Sequence, residues 1–204
     1  EQLAELDRVT HELVNAQYST YTRSLLPLLE KNGLHVIQAH EELTKAEGEY
    51  VDRYFKDNVY PVLTPMAVDS SRPFPLIRNK SLNIGALVRK KGEEKELEFA
   101  TVQVPSVLSR IVEIPSHGDV RKVILLEEII EKNIDQLFLS YDIVCAHPFR
   151  IMRNADLTIE EDEAADLLKE IEKQLKKRQW GKAIRLEVEA GIDKRLLKII
   201  EKEL

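Results

Sequence analysis

Four prolines constrain this chain more than any other feature. Pro61, Pro65, Pro73 and Pro75 fall within Pro61-Val-Leu-Thr-Pro65 and Arg72-Pro-Phe-Pro75. Each proline fixes its own φ, removes a backbone donor and biases the residue before it towards an extended conformation. No regular helix runs through such a stretch. Apolar residues recur at helical spacing before it, and short strands alternate with helices after it. Residues 61–80 therefore read as a rigid, ordered linker. It divides a helical segment, residues 1–58, from a part of mixed strands and helices, residues 59–204. The expected fold class is α+β: an N-terminal helical-bundle segment followed by a mixed β-sheet packed with helices.

The helical segment opens on a long amphipathic stripe. Leu3, Leu6, Val9, Leu13, Tyr21, Leu25 and Leu28 recur at helical spacing between polar residues. Pro27 kinks or divides this helix near its end, and Asn32-Gly33 stops it. Such a helix spans about 40 Å at 1.5 Å per residue and cannot bury its stripe alone. A short extended piece, Leu34 to Gln38, follows. Thr44-Lys-Ala-Glu47 then fits a capping box, with the threonine oxygen accepting from a free N–H and the glutamate reaching back. The next helix carries Tyr50, Val51, Tyr54, Phe55 and Val59 and closes at Pro61.

Beyond Ser81 the period changes to two. Leu82, Ile84, Ala86 and Val88 read as a strand, Lys91 to Glu94 as a hairpin turn, and Leu97 to Val104 as the returning strand. Arg110 to Ile114 is a weaker strand. Leu126, Ile129, Ile130, Ile134, Leu137 and Phe138 form a helix stripe, and Ile143 to Arg153 a strand. Thr158 to Glu161 is a second capping box before a helix with an acidic start and a basic end, a polarity that complements the helix dipole. Ile184, Leu186 and Val188 alternate with charged residues as a half-buried strand, and Asp193 begins the last helix.

Chemistry is sparse. The net charge of −6, from 30 lysines and arginines against 36 aspartates and glutamates, argues against a dedicated nucleic-acid or anionic-membrane binder. One cysteine excludes a disulfide framework and a cysteine-based zinc site. That residue, Cys145, lies mid-strand and reads as a buried inert thiol. None of the histidines His11, His35, His40, His117 and His147 begins H-x-x-x-H or H-E-x-x-H. No phosphate-cradling glycine loop, nucleophile elbow or membrane-length apolar run occurs. The acidic run Glu160 to Glu163 reads as a first helical turn, and the basic run Lys173 to Lys182 as a solvated helix end. Arg150 and Arg153 fall on opposite faces of a strand and form no single patch without a bulge or twist. Arg72, Arg78 and Lys80 lie on the linker, where loop cations are good phosphate ligands and surface charge is the plain alternative. The first residue, Glu1, and the apolar pattern running into Leu204 lead us to expect a piece of a larger protein.

Several blocks carry a family resemblance. Tyr54-Phe-Lys-Asp-Asn-Val-Tyr-Pro-Val-Leu-Thr-Pro-Met-Ala-Val-Asp69, then Arg72-Pro-Phe-Pro-Leu-Ile77 and Asn79-Lys-Ser-Leu-Asn83, resemble the bacterial polyphosphate kinase family. They look like the junction between that family's N-terminal helical domain and its middle, or head, domain. Phe149-Arg-Ile-Met-Arg-Asn-Ala-Asp-Leu157 and Ala183-Ile-Arg-Leu-Glu-Val188 agree with it, in the right order. Val104-Pro105 and Leu126-Glu-Glu-Ile-Ile130 fit between them.

The resemblance implies a parent enzyme, a phosphotransferase that moves the terminal phosphate of ATP onto polyphosphate, with magnesium, through a phosphohistidine in C-terminal domains. The family's H-x-K spacing is absent here: Leu13, Ile37, Glu42, Asp119 and Phe149 stand two residues after the histidines. No catalytic, nucleotide-binding or metal residue is carried over. The resemblance implies a scaffolding segment, inactive alone, in a homo-oligomer that is cytoplasmic or peripheral to the inner membrane. ATP and polyphosphate would bind through the other domains, with no nucleic-acid partner and no transmembrane segment. Arg72, Arg78, Lys80, Arg150 and Arg153 are the candidate polyphosphate contacts. The alternative is a stand-alone polyanion-binding or regulatory α+β module without kinase activity.

Overall fold

In the computed structural model, residues 2–68, 74–92, 96–116, 118–154 and 181–204 are described. They fall into two compact units, one of residues 1–53 and 109–129, the other of residues 54–108 and 130–204. The sequence places a boundary at 58/59. The contact-defined division differs, because it joins Ser109–Ile129 to the N-terminal residues.

The first unit begins with α1 (Gln2–Thr20), which runs through a π-helical turn, Tyr21–Leu25, into α2 (Leu26–Lys31). Pro27 sits in the first turn of α2, where a missing N–H costs little. The π turn just before it absorbs the discontinuity expected near Pro27. Leu3, Leu6, Leu13 and Leu28 are exposed, so the stripe is unburied here. Gly33 takes φ +81°, which reverses the chain into β1 (Leu34–Ile37). The Gly33 carbonyl accepts from Arg121 N at 2.8 Å. Strand β1 pairs in parallel with a later strand, Arg121–Leu125, and Ile111–Ile114 pairs antiparallel to that same strand. The capping box forms as expected: Thr44 N donates to Glu47 Oε2 at 2.9 Å, and Glu47 N donates to Thr44 Oγ1 at 3.4 Å. It opens α3 (Lys45–Tyr54). Val51, Val112, Ile114, Ile124 and Leu126 are among the buried residues of this unit.

The second unit is built on an antiparallel sheet. In chain order its strands are β2 (Met66–Val68), β3 (Leu82–Lys90), β4 (Leu97–Gln103), β7 (Tyr141–Arg153) and β8 (Ala183–Val188). The strands Ile111–Ile114 and Arg121–Leu125 of the first unit are β5 and β6. The order across the sheet is β2-β4-β3-β7-β8. Residues Asn83 to Val88 are all buried, as expected of a central strand covered on both faces. Strand β2 lies inside the segment read as linker. Three residues between prolines suffice there, because an edge strand needs a partner on one side only.

Ile77, Leu87, Phe99, Phe149, Ile151, Leu196 and Ile200 make one core, and Phe74 stacks on Phe99 with ring centroids 4.8 Å apart. Leu196 and Ile200 come from α5 (Lys194–Glu203), whose N-cap Asp193 accepts from Arg195 N. Gly85 on β3 is close to two rings: a Cβ there would stand 3.1 Å from Phe149 Cε1 and 3.4 Å from Phe99 Cε2.

Two helical readings change. The stripe from Leu126 to Phe138 divides into α4 (Leu126–Lys132) and a 3-10 turn, Ile134–Leu137, with Asn133 between them. The helix beginning near Thr44 ends in a π-helical turn, Phe55–Val59, and a 3-10 turn, Tyr60–Val62, that carries Pro61. The capping box at Thr158, its helix, and the acidic run Glu160 to Glu163 lie outside the described residues. So do the basic run up to Trp180, Arg72 and His117.

Candidate functional site

Arg78, Lys80 and Arg153 meet where the segment after Phe74 reaches the end of β7. Lys80 adopts φ +61°, a left-handed conformation that is uncommon outside glycine. Its N–H donates to Ile151 O at 2.8 Å. Ser81 Oγ donates to Arg78 O at 2.9 Å. Arg153 fastens the same turn from the strand side. Its Nε donates to Ile77 O at 3.1 Å, and its backbone N to Asn79 Oδ1 at 2.9 Å. A second guanidinium nitrogen donates to Gly181 O at 2.9 Å. Arg153 thus holds main chain together, while Arg78 and Lys80 are exposed on the turn it holds.

Arg150 is engaged differently. It pairs across the sheet with Glu187, and its Nε donates to Glu187 Oε2 at 2.7 Å. Arg185 Nε lies 3.0 Å from the other carboxylate oxygen. One carboxylate between two guanidinium groups leaves a net charge of about +1 by formal charges at neutral pH. The sequence reading passed over Arg185, although its spacing of two from Glu187 on a strand places both on one face. A register shift between Met152 and Arg153 interrupts the strict alternation that would put Arg150 and Arg153 on opposite faces.

A second polar cluster fills the first unit. Lys122 Nζ on β6 donates to Glu47 Oε1 at 2.7 Å. That hydrogen bond is the main cause holding the Glu47 carboxyl down at about 2, against the burial that pushes it up. Arg110 Nε donates to Glu127 Oε1 at 3.0 Å, and the buried carboxylate raises the arginine's pKa. Glu128 Oε2 accepts from His40 N at 3.1 Å and lies 3.2 Å from His40 Nδ1. A cleft of about 450 Å³ opens beside Glu47, Tyr50, Arg53, Ile114 and Lys122. Its lysine is engaged by Glu47, and Arg53 is the other cation that lines it.

In the second unit, Glu131, His147 and Glu189 bring one potential ligand atom each within 4.8 Å of the others. His147 Nδ1 lies 2.7 Å from Glu189 Oε2. The three come from separate elements, which is why no short spacing motif announces them. Cys145 on β7 is part-buried, and burial is the main cause raising its thiol pKa, in keeping with an inert cysteine. No helix among the described residues is long and apolar enough to cross a membrane.

The architecture defines an α+β region in which Arg110, Lys122, Arg150 and Arg153 are engaged by acceptors of the same chain, while Arg78 and Lys80 are exposed. Comparison with known proteins gives it a family. The sequence model described as the polyphosphate kinase middle domain matches residues 46–204. The chain is 45% identical over 203 residues to a polyphosphate kinase of Bacillus anthracis, covering 98% of this chain and 29% of that protein. It is 45% identical over 194 residues to one from Lactiplantibacillus plantarum, covering 95% and 27%. The crystal structure of the polyphosphate kinase from Porphyromonas gingivalis shares the fold, with a TM-score of 0.62 at 23% identity over 70% of this chain and 25% of that one. The chain belongs to the polyphosphate kinase family. It spans under a third of the length of these relatives.

Proposed function

We propose that this chain is the non-catalytic middle region of an ATP-dependent polyphosphate kinase. The observation that carries the reading is the collinear family match over residues 46–204. The region scaffolds domains outside this chain, where a phosphohistidine relays the terminal phosphate of ATP to polyphosphate with magnesium. It also contributes to subunit contacts in a cytoplasmic homo-oligomer. The state of its cations supports a scaffold. Arg153, Arg150, Arg110 and Lys122 are each engaged by carbonyls or carboxylates of the same unit.

Polyphosphate contact then falls chiefly to Arg78 and Lys80, with Arg72 as their neighbour in sequence. Arg150 contributes through the net charge it shares with Arg185, and Arg153 through the turn it holds. The test is ATP-dependent polymer synthesis, measured with labelled ATP, magnesium and a polyphosphate primer. The isolated chain is expected to be inactive and the longer protein active. Binding of polyphosphate to the chain should weaken steeply with salt and fall when Arg78 and Lys80 are replaced by alanine. Phosphate transfer by the chain alone refutes the scaffold reading. Binding that is absent at low salt refutes the contact reading.

A further inference from the structure

We propose that Glu131, His147 and Glu189 form a binding site for a divalent transition-metal ion. All three belong to the second unit. Glu131 lies at the end of α4, His147 within β7 opposite Gly85, and Glu189 one residue beyond β8. Three donors no more than 4.8 Å apart enclose a point within about 2.8 Å of each. Rotamer adjustment of a fraction of an ångström brings them to the roughly 2.0–2.2 Å typical of Zn–N and Zn–O bonds. The backbone preorganises the approach, since Glu189 N donates to Pro148 O beside His147 at 3.4 Å.

The donor set selects the ion. Two carboxylates and a neutral imidazole sum to a charge of about −2 and match a divalent cation. An imidazole nitrogen favours borderline ions such as Zn2+ and Co2+ over Mg2+, which prefers an all-oxygen octahedron. The 2.7 Å contact with Glu189 is made by His147 Nδ1. Coordination through Nδ1 therefore releases any proton held there to solvent. Three protein ligands leave a further position open to water. The bound ion would tie helix, central strand and edge strand together.

The test uses the purified protein carrying this chain, in excess Mg2+ so that oxygen-only sites are filled. Zn2+ is titrated by calorimetry, and Co2+ is followed by its ligand-field absorption. The expected result is one equivalent of Zn2+ that weakens at least tenfold in His147→Asn and in Glu189→Gln, with the cobalt band lost in both. The variants' metal-free thermal melts show whether the unit still folds. Independently of them, wild-type protein with 15N-labelled histidine should show the His147 ring nitrogens shifting on Zn2+ addition. Equal stoichiometry and affinity in wild type and folded variants overturns the proposal, as do His147 resonances that stay unmoved at saturating Zn2+.

Discussion

Replacing Glu47 by glutamine tests whether a single carboxylate fastens α3 to β6. Glu47 accepts from Thr44 N at 2.9 Å and from the Thr44 hydroxyl at 2.7 Å, and it meets Lys122 Nζ at 2.7 Å. Its side chain is only 11% exposed. The Lys122 hydrogen bond holds its pKa at about 2, whereas an unperturbed glutamate titrates near 4.5. At 1.36 kcal/mol per pH unit that separation is worth about 3 kcal/mol. Lys122 is 32% exposed, so solvent screening brings the contribution to about 2 kcal/mol.

The folded pKa is depressed, so this stability is fully present above pH 4.5 and is lost as pH falls from there towards 2. Glutamine keeps an oxygen for Thr44 and removes the charge. Glu47→Gln should therefore unfold about 2 kcal/mol more easily at pH 7, with the deficit shrinking below pH 4.5. Urea unfolding of both proteins at pH 7, 5, 4 and 3 measures it. A deficit that stays constant across that range would refute the assignment of the shift to the charged pair.

Three further outcomes are expected. Gly85→Val should cost about 1–3 kcal/mol in denaturant unfolding, because its side chain meets the Phe149 and Phe99 rings in a filled core. Arg153→Ala should cost about 1–3 kcal/mol by losing its bonds to Ile77 O and Gly181 O, whereas Arg78→Ala should stay within about 0.5 kcal/mol in the same assay. Cys145 should react slowly with a disulfide reagent at pH 7 and much faster in denaturant, since burial raises its pKa; fast labelling of the native protein would contradict this.

Local chemistry was legible wherever a residue's role depends on near neighbours in sequence. The Thr44–Glu47 capping box, the stop at Gly33, the antiparallel pairing of β3 with β4 and the cap at Asp193 all form where the pattern puts them. Long-range pairing was not legible. Strand β6, Arg121–Leu125, is short and opens with two cations, so period alone gives little reason to mark it. It becomes a strand because β1 and β5 supply hydrogen-bond partners on both edges. That pairing is also what draws Ser109–Ile129 into the first unit.

The same distinction governs the candidate sites. Sequence marks a cation as a candidate by its type and place, Arg78 and Lys80 on the linker and Arg153 at the end of a strand. What separates them is the set of acceptors the fold brings near. The carbonyls of Ile77 and Gly181 reach Arg153 only because β7 ends beside both segments, and they turn a candidate ligand into a clamp. Lys80 keeps its ammonium exposed while its backbone is fixed to Ile151 in a left-handed turn. A polyanion gains most from charges that are already positioned yet unpaired, because ordering them costs little on binding. Arg153→Ala should therefore weaken polyphosphate binding indirectly, by loosening the turn. Arg153→Lys should restore little, since an ammonium cannot reproduce the guanidinium's fixed fork to two separate carbonyls. Full recovery of binding by lysine would mean that Arg153 acts through its charge alone.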